Sequence, residues 1–379
     1  MFLASRKEWV ELVALMKVMS KDKLHWSNNQ GLPIKGRTAR LECIQRKEQN
    51  GFRTYRRIVV PGEGETPDAT VIEITNADTK ETLTVEAELW SDAADHAVDI
   101  LRNNENDATV PVDDAMEAFL DEIQMVSLGG ISEGPWHILL GINGQKTAVT
   151  GVLSRCGAVP SRLLDGGRAA NLKLLQTGTR FAQPMAQKVN YVGEDTPDAP
   201  IAQIIRERMD MIERMGSSLK YDDVADKVFR CNLAMMDLHM GRLLTEIVRT
   251  SYLEDNTHLD ELTLRMNEIN PLKVKQDLID KHHYYEYKVR QLLLACVGGM
   301  RPAKIYTGSD NLPAFFIVVT PDGTPVLFDA TDRDLLGRFL LLNSRLERGH
   351  MGKDHYGLLE RENNAYYFKL NLKIGLTKR

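Results

Sequence analysis

The sequence predicts an α+β fold: a mixed β-sheet with flanking helices, a helical insertion and further β elements near the C-terminus. Three observations carry this. Runs such as TVIEIT (70–75) and AYYFKLNLKIGL (365–376) set apolar residues at every second position, the period of a half-buried strand. Residues 5–19 and much of 201–300 repeat apolar residues near helical spacing. The two patterns interleave along 379 residues, so helices are inserted between sheet elements in a chain long enough for two to three domains.

Each element has its own signal. In 5–19, Trp9, Leu12, Val13, Leu15 and Met16 form the apolar positions of a helix. Residues 31–110 read as short strands and loops, with TLTVEAELW (82–90) alternating after the turn-rich NADTKE. VDDAMEAFLDEIQMV (112–126) is a helix opened by acids, which suit the positive end of the helix dipole. Residues 137–142 and 148–154 form a hairpin around Asn143 and Gly144. The prolines of VGEDTPDAP (192–200) mark the best internal boundary, separating 1–191 from 200–379, with the two regions packed as one compact unit. Beyond it, 201–216 is a helix closed by Gly216, and 223–253 continues in helix with a methionine-rich core stripe. Residues 283–300 form another helix, and 314–330 a hairpin turning at Pro321, Asp322 and Gly323. In the last strand Tyr366, Phe368, Leu370, Leu372, Ile374 and Leu376 face one way, and Lys369, Asn371 and Lys373 the other.

Composition narrows the function classes. Net charge is −5, so any nucleic-acid surface must be a local basic patch on an acidic body. Cys43, Cys156, Cys231 and Cys296 lie far apart without CxxC spacing, which argues against a zinc site or disulfide framework and fits a reducing cytoplasm. Charges at Arg6, Lys7, Glu8 and Glu11 break the N-terminal apolar run, and no stretch of about 18 apolar residues exists to span a membrane. Walker, GxGxxG, HExxH and GxSxG motifs are absent. His282 and His283 read as structural residues before a helix. PDATVIE (67–73) resembles the acidic half of a nuclease motif, without a lysine two residues after Glu73.

Basic residues gather in two places. Arg155, Arg162, Arg168 and Lys173 accompany Ser154, Ser161 and Asn171; Arg345, Arg348 and Lys353 precede the strand carrying Lys369 and Lys373. Arginine pairs bidentately with guanine or phosphate, asparagine with adenine, and serine with phosphate. On charge alone the same pattern also describes two solvated loops.

The C-terminal third resembles the HpaII-type restriction endonucleases. It does so through NPLKVKQDL, HYYEYKVRQLLLACVGGMRPAKIYTG, FFIVVTPDGTPVLFDATDRDLLGRFLLLNSRLE and YGLLERENNAYYFKLNLKIGL. RKEWVELVALMKVMSKDKL and VPVDDAMEAFLDEIQMVSL extend the resemblance over most of the chain, with 31–105 similar only in character. The resemblance implies a restriction-endonuclease-like core of the PD-(D/E)XK type in 1–191, double-stranded DNA as substrate, a CCGG-type site and Mg²⁺-dependent phosphodiester hydrolysis. It leaves room for a homodimer and for a cognate DNA methyltransferase.

In that family the hairpin carries an acid at the start of its first strand and a lysine within serine–isoleucine–lysine–serine on the second. The carboxylate holds Mg²⁺, and the lysine positions or activates the attacking water. Here Ser154, Gly157, Leu163 and Leu164 fit the pattern, but the lysine position falls at Leu153, the acid position at His137 and a further acid position at Asn143. Leucine offers no donor, and a neutral amide is a weak ligand for a hard cation. Arg155, two residues on, Lys146 in the turn, and Glu8 and Glu11 on the first helix are the available substitutes. No set of metal ligands follows from the sequence. The expected DNA-binding residues are Ser154, Arg155, Arg162, Arg168, Asn171, Lys173, Lys369 and Lys373, placed around one cleft. The alternative is a catalytically degenerate relative that binds DNA without cleaving it. A structural subunit with an eroded DNA surface is a third reading, opposed by the retained basic residues.

Overall fold

The computed structural model describes residues 3–48, 51–62, 67–104, 109–125, 136–142, 144–156, 161–194, 199–308 and 313–376. The chain divides into two compact units: Met1–Ser161 with Leu312–Phe339 and Thr377–Arg379, and Arg162–Asn311 with Leu340–Leu376. The two units thus alternate along the chain: Arg162–Asn311 of the second lies between two strands of the first, and Leu340–Leu376 follows them. The proline-marked stretch 192–200 falls inside the second unit, between the helices Gln183–Tyr191 and Ile201–Arg214.

The first unit is a mixed nine-stranded sheet. Its order is Lys23–Ser27, Pro325–Asp329, Phe315–Val319, Gln145–Cys156, Trp136–Ile142, Pro33–Glu48, Gly51–Val60, Ala69–Asn76 and Thr82–Glu86. Phe315–Val319 runs parallel to Gln145–Cys156, with Ile317 opposite Ser154. The opening helix Arg6–Met19 begins at a reciprocal cap. The Ser5 backbone N–H donates to Glu8 at 2.6 Å, and the Glu8 N–H donates to Ser5 Oγ at 3.3 Å. Trp9, Leu12, Val13 and Met16 are fully buried in one core with Trp136, Ile138, Leu140 and Ile317. Trp90, on the adjacent helix Ala87–Asn103, meets Tyr55 and Phe119 edge to face at 5.8 and 5.5 Å.

Two expectations for this unit need correction. Residues 31–60 form two long strands rather than short ones, because charged side chains interrupt the apolar alternation that marks a strand. Four polar side chains on them converge instead. Arg46, Glu48, Arg53 and Tyr55 are buried, Glu48 lies 3.4 Å from Arg46 Nε and 3.3 Å from Arg53 Nη1, and Tyr55 donates its hydroxyl to Glu48. The alternating run 82–90 is strand only to Glu86. From Ala87 the chain is helical, and burial of Ala87, Trp90, Ala94, Ala97 and Leu101 follows the helical period.

The second unit holds a four-stranded sheet ordered Ser217–Val224, Asn171–Gly178, Ala365–Asn371 and Leu359–Glu362. A three-stranded sheet follows the order Ser161–Asp165, Lys373–Leu376 and Ser344–Leu346. The predicted helix over 223–253 is instead a strand end and two helices, Lys227–Met236 and Met240–Leu253. Asp226 caps the first by accepting from the N–H groups of Val228 and Phe229, and Asp237 interrupts the run by accepting from the His239 N–H. His283, at φ +47°, precedes the helix Tyr284–Val297 as expected of a structural residue. The last strand changes sheet at Leu372, so its alternation does not persist: Lys373 is only 8% exposed. Among the described residues no helix is long and apolar enough to cross a membrane.

Candidate nucleic-acid interface

The predicted hairpin is present in the first unit. Trp136–Ile142 and Gln145–Cys156 pair antiparallel, with Ile138 opposite Val149 and Leu140 opposite Thr147. Gly144 takes φ +80° in the turn, while Asn143 lies outside the described residues. Strand alternation then sets directions. Trp136, Ile138 and Leu140 are buried on the face covered by the opening helix, so His137 projects from the opposite face and is exposed. Its register partners are Gln45 and Thr150, and Gln45 reaches Thr54 at 3.5 Å.

This arrangement disperses the expected catalytic residues. Glu8 is committed to the helix cap, and Glu11 belongs to the same helix, on the face of the sheet away from His137. Ligands of one Mg²⁺ must converge to about 2.0–2.1 Å from a single point. The hairpin register places Thr150, not Leu153, opposite His137. Positions 137 and 153 are therefore offset by roughly 10 Å along the strand direction. Leu153, Ser154 and Arg155 run beside Phe316, Ile317 and Val318. Lys146 is held 3.2 Å from Glu42, whose other oxygen lies 3.6 Å from Arg40 Nε. Glu73 of the PDATVIE segment pairs with Arg56 at 3.5 Å. Among the described residues no three His, Cys, Asp or Glu side chains converge as a metal site.

The second unit brings most of the expected DNA-binding residues into one polar strip, and balances nearly all of them. Lys173 and Lys369 are register partners across adjacent strands. Lys173 Nζ lies 2.6 Å from Glu362, and Lys369 Nζ lies 2.7 Å from Glu360 and 2.8 Å from Glu362. Hydrogen bonds from Lys173 and then Lys369 hold the Glu362 carboxyl below its ordinary range. Burial works against the charged form of Lys369, but its bonds to Glu360 and Glu362 raise it above the ordinary lysine value. Next along the strip, Asn171 needs correction as a base reader, because it is only 2% exposed. Its amide donates to the carbonyls of Asp354 and His355 at 2.9 and 3.0 Å, and its oxygen accepts from Asn371 at 2.8 Å. Lys373 pairs with Asp165 at 3.1 Å, and Arg162 reaches Asp165 at 2.9 Å and Glu347 at 3.7 Å. Arg168 is exposed, donates to the Lys353 carbonyl at 3.2 Å and pairs with no carboxylate among the described residues.

Sequence reading missed a cavity of about 520 Å³ in the same unit, lined by Arg180, Arg361, Gln176, Gln183, Asn364 and Tyr366 among others. The available signal was alternation in Leu359–Glu362. Arg361 is out of phase with Glu360 and Glu362, so the strand presents the arginine on one face and both acids on the other.

Comparison with known proteins matches residues 5–376 to the family model described as HpaII restriction endonuclease. The type II restriction enzyme HpaII of Haemophilus parainfluenzae is 22% identical over 378 residues, covering 98% of each chain. No solved structure matches.

Proposed function

The chain belongs to the HpaII restriction endonuclease family, and on that footing we propose that it recognises a short site in double-stranded DNA and acts on it in restriction. The match across residues 5–376 carries this reading. Recognition of a CCGG-type sequence and Mg²⁺-dependent hydrolysis of a phosphodiester are what membership implies for the finer chemistry.

The residues at the family's metal positions do not fit Mg²⁺. The ion takes hard oxygen ligands in near-octahedral geometry. His137 offers an imidazole nitrogen, Asn143 a neutral amide, and Glu11 sits on the helix across the sheet from His137, while Leu153, at the lysine position, cannot position a water. That mismatch favours a second reading, in which the chain binds its DNA site without cutting it.

One experiment separates the two. Plasmid carrying CCGG sites is incubated with Mg²⁺ or Mn²⁺, and binding to a CCGG duplex is measured under the same conditions. Cleavage supports the first reading, and salt-dependent binding without cleavage supports the second, which His137 and Leu153 motivate. Because 137 and 153 are offset by roughly 10 Å along the strand direction, the paired variant His137→Asp with Leu153→Lys should stay inactive, and Mg²⁺-dependent cutting by it would show that the two positions share a site. Efficient cutting by the unmodified chain that Arg155→Ala abolishes would instead locate the chemistry at Arg155. Absence of any DNA binding would remove the proposal itself.

A further inference from the structure

The cavity in the second unit has three walls. The end of strand Asn171–Gly178 contributes Gln176, and the residues leading into helix Gln183–Tyr191 contribute Arg180. The third wall is the hairpin between Leu359–Glu362 and Ala365–Asn371, which contributes Arg361, Asn364 and Tyr366. That hairpin turns through Asn363 and Asn364, both left-handed at φ +47° and +68°, a conformation asparagine tolerates better than other non-glycine residues. Gly178, at φ +95°, sets the opposite rim, where a Cβ would come within 2.8 Å of the Gly216 carbonyl.

The charge of this cavity differs from that of the neighbouring strip. Among the described residues no carboxylate lines it. Arg361 donates to Asn364 Oδ1 at 2.9 Å, which fixes its guanidinium without neutralising it, and Arg180 is exposed. Neither pairs with a carboxylate among the described residues. Two uncompensated guanidiniums therefore share one concave site, which Gln183 and Tyr366 also line. The planar fork of arginine matches phosphate oxygens. The volume lies within the roughly 300–1,000 Å³ of ordinary ligand sites.

We propose that this cavity binds a phosphate ester, with Arg180 and Arg361 as its paired contacts. The proposal rests on the reading that the chain binds DNA and names a place where a phosphate of that DNA is held. The DNA backbone and a free nucleotide present the same chemistry, so the test separates these sources.

Binding of a short fluorescent duplex carrying CCGG is measured across a salt titration. The unmodified chain is compared with Arg180→Ala/Arg361→Ala, Arg180→Lys/Arg361→Lys and a control, Arg230→Ala, whose charge Asp223 already balances at 2.9 Å. Deoxycytidine monophosphate is titrated into the same proteins, and circular dichroism checks their folding. Each lost phosphate contact lowers the slope of log affinity against log salt by about 0.9, so the double alanine variant should lose nearly two units of slope and about tenfold in affinity. The lysine pair should keep most of the slope, and the control all of it. Loss of duplex affinity without nucleotide binding assigns the site to the DNA backbone. Nucleotide binding that needs both arginines supports the pocket with a free nucleotide as source, even if the chain binds no duplex and the functional reading fails. Duplex and nucleotide affinities both unchanged in the double alanine variant would overturn the proposal.

Discussion

The two units treat charge in opposite ways. In the first, one carboxylate, Glu48, sits between two arginines, all three under 9% exposed, with the buried Tyr55 hydroxyl donating to it. All three guanidinium nitrogens of Arg46 lack a hydrogen bond, so Glu48 is the counter-charge its ion pairing depends on. In the second unit, Lys173 and Lys369 face two carboxylates at the edge of solvent, with Lys173 also stacked over Tyr367 at 4.3 Å. The difference teaches that the same residue types can be architecture in one place and a balanced surface in another. Counting basic residues overstates the charge available to DNA, because most of those expected at the interface are already neutralised within the fold.

The comparison is broken most directly at Glu48. Glu48→Ala should cost about 3–5 kcal/mol, because two buried guanidiniums lose their counter-charge. Urea denaturation measures this, and a loss under about 1 kcal/mol would show that the arginines find other compensation. Asn171→Ala should cost about 1–3 kcal/mol by leaving the carbonyls of Asp354 and His355 without its amide. A lower thermal midpoint with DNA affinity unchanged per folded molecule would separate this role from base reading.

The smallest effect is expected at Glu362, and it depends on pH. The folded carboxyl is depressed from its ordinary value of 4.5, so its stabilisation is present above that value and fades as pH falls through the folded one. Lys369 is raised from 10.5, so its contribution is present below that value and fades as pH rises through the folded one. Glu362→Gln should cost about 0.5–1 kcal/mol at neutral pH, after allowance for solvent screening, and nearly nothing in strong acid. Denaturant midpoints at neutral and acid pH check this. An equal loss at both would mean that packing, and not charge, carries the effect.

Elements with strong, uninterrupted periodicity were legible in the sequence. The opening helix, the hairpin around Gly144 and the hairpin turning at Pro321 to Gly323 follow from local patterns. The long strands Pro33–Glu48 and Gly51–Val60 were not, because Arg46, Glu48 and Arg53 are buried as an ion cluster that looks solvent-facing in sequence. The helix from Ala87 was hidden because EAEL satisfies both periods over so short a span. At the interface, types and approximate positions of the basic residues were readable, but their partners were not. Glu362 meets Lys173 across nearly 190 positions of chain, a pairing that only the sheet register creates. The family resemblance assigned positions on the hairpin, yet the phase that points His137 away from the opening helix depends on which side of the sheet the core forms.

The parallel pairing of Gln145–Cys156 with Phe315–Val319 has a consequence for biosynthesis. After the first strand leaves the ribosome, on the order of 160 further residues must follow before its neighbour is made, roughly 10–30 s at 5–20 residues per second. During that interval the nascent sheet carries an open edge, able to pair with another chain. Of the second unit only Arg162–Asn311 emerges in that interval, and its strands Leu359–Glu362 and Ala365–Asn371 follow those of the first. Substitutions that slow the pairing of Gln145–Cys156 with Phe315–Val319 should therefore lower yield through aggregation of the unfinished chain, even where the finished protein is no less stable.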